Sequence, residues 1–172
     1  MTTSPQRHRV TEVRLERCFS VSLCLCGPYH LVMAIQVVRL GTPRARGEGL
    51  RLGTVRLLPR GIKKQDFAKR DYFDLWLPDV APSAGLVSWA QSKPWTDKRW
   101  ATFARRYHSE MRKPAAQRVI ALLAAFASTA HFSIGCYCEN ASRCHRSLLG
   151  ELLRERGADV STTKRTKDTK DK

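Results

Sequence analysis

The stretch FSIGCYCENASRCHRSLLGELLRERG, residues 132–157, decides how the chain is read. Its opening, FSIGCYC, is a short apolar run closed off by Glu139 and Asn140, the pattern of a strand inside a parallel sheet. From residue 143 the period changes. Leu148, Leu149, Leu152 and Leu153 recur at helical spacing, and Gly157 supplies the stop. A buried strand passing through a polar turn into a helix is the unit of an α/β sheet, and ligands of such sheets gather at the carboxyl ends of the strands.

That junction also holds the reactive residues. Cys136 and Cys138 are two apart, so they share a sheet face with Tyr137 opposite. Asn140 or Ser142 can cap the helix. With Ser142 as N-cap, Arg143, Cys144 and His145 fill the first three helical positions, where free backbone N–H groups and the positive dipole end favour a thiolate. Arg143, His145 and Arg146 act in the same direction, so a lowered Cys144 pKa is expected.

Three kinds of chemistry suit these residues. In the first, Cys144 or Cys138 is a nucleophile, His145 an acid or base, and the arginines hold an anionic group. The tyrosine-phosphatase pattern of five residues between Cys and Arg is missed, because Cys138 to Arg143 leaves four and Cys136 to Arg143 leaves six. In the second, zinc or iron is bound by residues drawn from Cys136, Cys138, Cys144 and His145, with Cys138, Cys144 and His145 as the preferred set. The CxCx5CH spacing is not CxxC, and neighbouring helical residues diverge by about 100°, so two or three ligands are easier than four. In the third, the helix start binds a phosphate without covalent chemistry, with Ser142, Arg143 and Arg146 as contacts. Cys136 alone reads as a small core residue.

Upstream, AIQVVRL (34–40) alternates as a first strand and GTVRLL (53–58) reads as a second, ended by Pro59. The Gly- and Arg-rich segment between them reads as a loop, and its GxGxxxG misses the dinucleotide fingerprint. LPRGIKKQDFAKRD gathers Arg60, Lys63 and Lys64 in a turn that can grip phosphates, with Arg56 just before it. FDLWL (73–77) suggests a bordering strand, followed by an irregular Pro-rich stretch. TDKRWATFARRYHSEMR (96–112) is a helix capped by Thr96 with an apolar stripe of Trp100, Phe103, Ala104, Tyr107 and Met111. After Pro114 a second helix turns Val119, Ile120, Leu123 and Phe126 inward. Together the elements predict an α/β three-layer sandwich with a small, mainly parallel sheet.

The 172 residues fit one domain and carry a net charge of +16. Residues 33–160 hold 22 Lys and Arg against 11 Asp and Glu, so the excess is not a property of the ends alone. Such a field favours phosphate-bearing small molecules, nucleic acid or acidic surfaces. Six cysteines in a domain rich in core residues fit reduced thiols in a cytoplasmic protein. Residues 1–32, with Cys18, Cys24 and Cys26, read as an extension, and Met33 as a candidate start of translation. No segment is long and apolar enough to span a membrane. Residues 161–172 are polar, of low complexity and expected to be disordered.

Four segments, VRLLPRGIKK, DLWLPDVAPS, WATFARRYHSEM and CYCENASRCHRSLL, occur in this order, and over 34–158 the chain resembles the YeaO-like family, domain of unknown function 488. The DRLWPRG-like motif of that family falls on Val55 to Gly61. Arg56, Pro59, Arg60 and Gly61 match, while Val55 and Leu58 stand at its acidic and tryptophan positions. The family's C-x5-C-H-R signature falls on Cys138, Cys144, His145 and Arg146. The resemblance implies a small cytosolic α/β protein that starts near Met33, and it names no reaction. The reading at this stage is an anion-binding site with a reactive thiol, or alternatively a zinc or iron site.

Overall fold

A computed structural model describes residues 35–162. The extension with its cysteines and candidate start, and the tail beyond residue 162, lie outside that range. Five strands form one sheet: β1 (Ile35–Arg39), β2 (Leu50–Gly53), β3 (Leu75–Trp76), β4 (Phe132–Cys136) and β5 (Val160–Thr162). Their order is β3-β2-β4-β1-β5, and every pairing is parallel. Four helices accompany it: α1 (Ala84–Gln91), α2 (Asp97–Met111), α3 (Pro114–Phe126) and α4 (His145–Arg154).

The register puts Val37 and Leu52 either side of Ile134. Ile35, Val37, Leu52, Phe132, Ile134 and Val160 therefore share one face, and they form a single core with buried residues of all four helices. Phe103, Tyr107 and Met111 supply it from α2, and Leu148, Leu149 and Leu153 from α4. A second cluster, Leu40, Val55, Phe67, Phe73, Cys136 and Cys144, belongs to the coil side and the carboxyl end of the sheet. The layers are thus helix, sheet and coil. Glycine makes the coil layer fit: a Cβ on Gly53 would come 2.4 Å from the Phe73 ring, and one on Gly135 2.2 Å from Leu40.

Four elements differ from expectation. The second strand is LRLG (50–53), and the chain leaves the sheet where GTVRLL was placed. Arg51 can occupy this strand because Glu48 neutralises it: Nε donates to Oε1 at 2.6 Å and Nη2 to Oε2 at 2.7 Å, with Ser133 Oγ and the Ala45 N–H also donating to that carboxylate. α1 forms in the supposedly irregular Pro-rich stretch. Ser83 caps it by accepting from the Leu86 N–H at 3.2 Å, and Glu110 of α2 in turn accepts from the Ser83 N–H at 2.8 Å. β5 takes residues 161 and 162 out of the expected tail and into the sheet edge. In α3 the inward residues are Ala116, Ile120 and Leu123, whereas Phe126, expected inside, is 51% exposed in the helix's last turn.

Candidate functional site

β4 is the central strand, and it ends where its neighbours end. Thr54 fixes that end: its N–H and Oγ1 donate to the Gly135 carbonyl at 3.1 and 2.9 Å. The chain then turns through Tyr137–Asn140. Asn140 Oδ1 accepts from the Ser142 N–H at 2.9 Å and opens a 3-10 turn over Ala141–Arg143. The helix itself starts at His145. Its N-cap is Cys144, extended at φ −135° and ψ 140°, so the expected cap at Ser142 belongs to the preceding turn instead. Ser142 is exposed and its hydroxyl bonds Asn140.

This path brings three sulfurs together. Those of Cys136, Cys138 and Cys144 all lie within 4.8 Å of one another, and the Cys136 thiol donates to Cys138 Sγ at 3.5 Å. Cys136 and Cys144 are buried, whereas Cys138 is exposed. The shared face of Cys136 and Cys138 holds, but Cys136 is not merely core: its side chain completes the cluster. Proximity to a sequence-distant thiol, rather than burial, was the property that mattered.

The expected Cys144 thiolate is reversed. Hydrogen bonds with Cys136 and Cys138, and then burial, push the Cys144 thiol well above its ordinary range. Cys136 is pushed up to about 11, first by its bond to Cys138. Those same bonds stabilise Cys138 as the thiolate and hold it down to about 2, with His145 and Arg146 adding to the effect. One anionic sulfur therefore accepts from two protonated ones, and it is the sulfur that faces outward.

His145 is buried, and burial lowers its pKa. Its Nε2 lies 2.6 Å from the Thr54 carbonyl, which only accepts, so Nε2 carries the proton of the neutral ring. Nδ1 is left as an acceptor 4.0 Å from Cys144 Sγ. Tyr107 of α2 packs against the ring, with centroids 5.8 Å apart. Within this arrangement His145 acts toward Cys144, and it is not among the clustered sulfur ligands.

The arginines divide by position. Arg146 is 4% exposed and stands behind the turn, where Nη1 donates to the carbonyls of Cys136 and Cys138 at 3.0 and 2.8 Å. Its Nε has no hydrogen-bond partner among the described residues, and its charge helps to lower the Cys138 pKa. Arg143 pairs with Asp97 at 2.8 Å. Arg56 donates to the carbonyls of Pro78, Ala81 and Pro82, which makes it a strut for the turn before α1. Arg60 is exposed.

In front of Cys138 lies a cleft of about 1000 Å³. Its wall includes Arg56, Arg60, Lys93 and Arg143 and, among the described residues, no Asp or Glu, beside Tyr137, Trp95 and the three cysteines. Arg146 and Ser142, expected as anion contacts, are not on that wall. Lys93 and Trp95, which sequence reasoning passed over, are there because α1 and the segment after it fold over the strand ends. Among the described residues, no helix is long and apolar enough to cross a membrane.

Residues 35–157 match the family model DUF488-N3a, described as the active DUF488-N3 subclade. The chain is also 29% identical over 122 residues to an uncharacterized protein of Mycobacterium bovis and to one in each of two strains of Mycobacterium tuberculosis. Those alignments cover 71% of this chain and 95% of each relative. No solved structure matches it.

Proposed function

We propose, for a chain that belongs to the DUF488-N3a family, that it binds an anionic ligand in the cleft and presents the Cys138 thiolate to it as the reactive group. The observation that carries this reading is the exposed Cys138 sulfur, bonded by a buried thiol at 3.5 Å, beside a cleft wall with cations and no carboxylate. A thiolate stabilised by hydrogen bonds is a nucleophile at neutral pH, and the cationic wall raises the local concentration of anions. Cys144 and His145, largely buried at the back of the cleft wall, then support Cys138. The residues that would hold the anion shift with it, to Arg60, Lys93 and Arg143.

Alkylation of the full chain tests the reading. Iodoacetate, an anion, modifies Cys138 faster than neutral iodoacetamide does, reversing their order at a free thiol. Iodoacetamide labelling stays flat from about pH 5 to pH 8, where an ordinary thiol near pKa 8.5 rises steeply. The sign follows from a depressed Cys138 pKa, which leaves the thiolate formed across that window. Labelling that climbs tenfold per pH unit at Cys138 contradicts the proposal.

The clustering of three sulfurs within 4.8 Å favours a second reading, a zinc or iron centre. Tetrahedral zinc with Zn–S bonds near 2.3 Å separates its sulfurs by about 3.8 Å, close to the spacing here. Cys136, Cys138 and Cys144 would hold it, in place of the expected set with His145, and the metal would supply Lewis acidity. Stoichiometric zinc or iron in reduced, freshly purified protein, lost in Cys136→Ser and kept in His145→Gln, is the expected result. Metal that survives Cys136→Ser counts against this ligand set.

A further inference from the structure

Two features meet in the cleft: a cationic wall and a second thiol in contact with the first. We propose that the site performs thiol–disulfide exchange with an anionic low-molecular-weight disulfide, Cys138 attacking and Cys136 resolving. This rests on the reading of Cys138 as the reactive thiol of the cleft.

The division of labour follows from position. Cys136 and Cys144 are 5% and 2% exposed, so an incoming disulfide meets Cys138. Cys136 is the last residue of β4, held in register opposite Arg39 with its carbonyl accepting from the Leu40 N–H at 3.0 Å. Cys138 lies beyond the strand, outside the ladder. A disulfide needs about 2.05 Å between sulfurs. From 3.5 Å the gap to close is about 1.5 Å, and Cys138, outside the ladder, is the partner not held by strand pairing. Cys144 is the N-cap of α4, with Sγ 4.0 Å from His145 Nδ1, and it remains as the thiol that steadies Cys138.

The electrons balance without another reactant. The Cys138 thiolate attacks R–S–S–R, forming Cys138–S–S–R and releasing R–S⁻. The Cys136 sulfur then attacks Cys138 Sγ, its proton passing to a departing thiolate, and expels the second R group. The two cysteines lose two electrons and close a disulfide; the substrate gains them and leaves as one R–S⁻ and one R–SH. A small peroxide would need neither the roughly 1000 Å³ nor the cations of the cleft. A peptide-sized disulfide carrying carboxylates uses both.

The test treats the reduced, metal-free full chain with oxidised glutathione as the anionic probe and cystamine as the cationic one. Trypsin cuts after Arg118, Arg143 and Arg146, so Cys136 and Cys138 share one peptide and Cys144 lies in the next. The expected product is the 119–143 peptide lighter by two hydrogens and closed to alkylation, formed about tenfold faster with glutathione disulfide than with cystamine. Cys136→Ser stops at the Cys138–glutathione mixed disulfide. A wild-type chain that also stops there, a bond joining the 119–143 and 144–146 peptides, or equal rates with the two probes overturns the inference while leaving Cys138 reactive. A Cys138 that takes up neither glutathione nor iodoacetate overturns the underlying reading as well.

Discussion

Buried charge is handled in two ways in this molecule. Arg51, fully buried, meets Glu48 through two parallel bonds of 2.6 and 2.7 Å. Burial alone would raise the Glu48 pKa, but the bonds from Arg51, Ser133 and the Ala45 N–H outweigh it and leave the carboxyl lowered. A depressed carboxyl contributes stability that is complete above its unfolded pKa, about 4.3, and is lost as pH falls through the folded value. Glu48→Gln strands the guanidinium, and the expected loss is about 3–5 kcal/mol in urea unfolding at pH 7, with a flatter dependence on pH below 4. Arg146 has no such carboxylate among the described residues, and its guanidinium is held by the carbonyls of Cys136 and Cys138 instead. The asymmetry explains what residue types alone could and could not tell. Cysteine, histidine and arginine marked the junction, but which sulfur ionises depended on which one lay outside the shell of the other two. No spacing rule contains that.

At the scale of elements, β1, α2, β4 and α4 were legible from their period, with the Thr96 cap of α2 and the Gly157 stop of α4 in agreement, although α4 starts two residues later than its expected cap implied. Thr96 accepts from the Arg99 N–H at 3.2 Å, and Gly157 takes φ +85° after α4. β2 was hidden because an arginine at its second position looks like a loop residue until its partner is known. α1 was hidden by Pro78, Pro82 and Pro94, which in fact bracket it. The sheet imposes its own demand at the site. Gly135 precedes Cys136 and lies against Leu40, so Gly135→Ala requires Leu40 or the strand to move. We expect a destabilisation of about 1–3 kcal/mol, measured by chemical denaturation. Because the shift is transmitted to Cys136, iodoacetamide labelling of Cys138 slows in the folded variant. Unchanged labelling together with unchanged stability would show that the coil layer yields freely.

For the whole molecule the net charge of +16 acts at two ranges. Far from the surface it sets a general positive field, and this part is screened within about 10 Å at 0.1 M salt. In the cleft it is focused by Arg60, Lys93 and Arg143 beside apolar walls. Iodoacetate labelling of Cys138 therefore falls with added salt while iodoacetamide labelling does not, and Arg60→Ala removes about fourfold of the iodoacetate rate at low salt. Equal salt responses of the two reagents would separate the field from the site. The sheet order carries one more consequence, for the time course of synthesis. β1 and β2 are not neighbours; β4 lies between them, almost a hundred residues after β1. A growing chain therefore has no central pairing until residues 132–136 have left the ribosome, and long-range parallel pairing of this kind folds slowly. The strand that joins the two halves of the sheet is also the one that ends in Cys136, so Cys136 has no pairing partner to hold it until that late step, and the protein's own birth is the period in which its site is least protected.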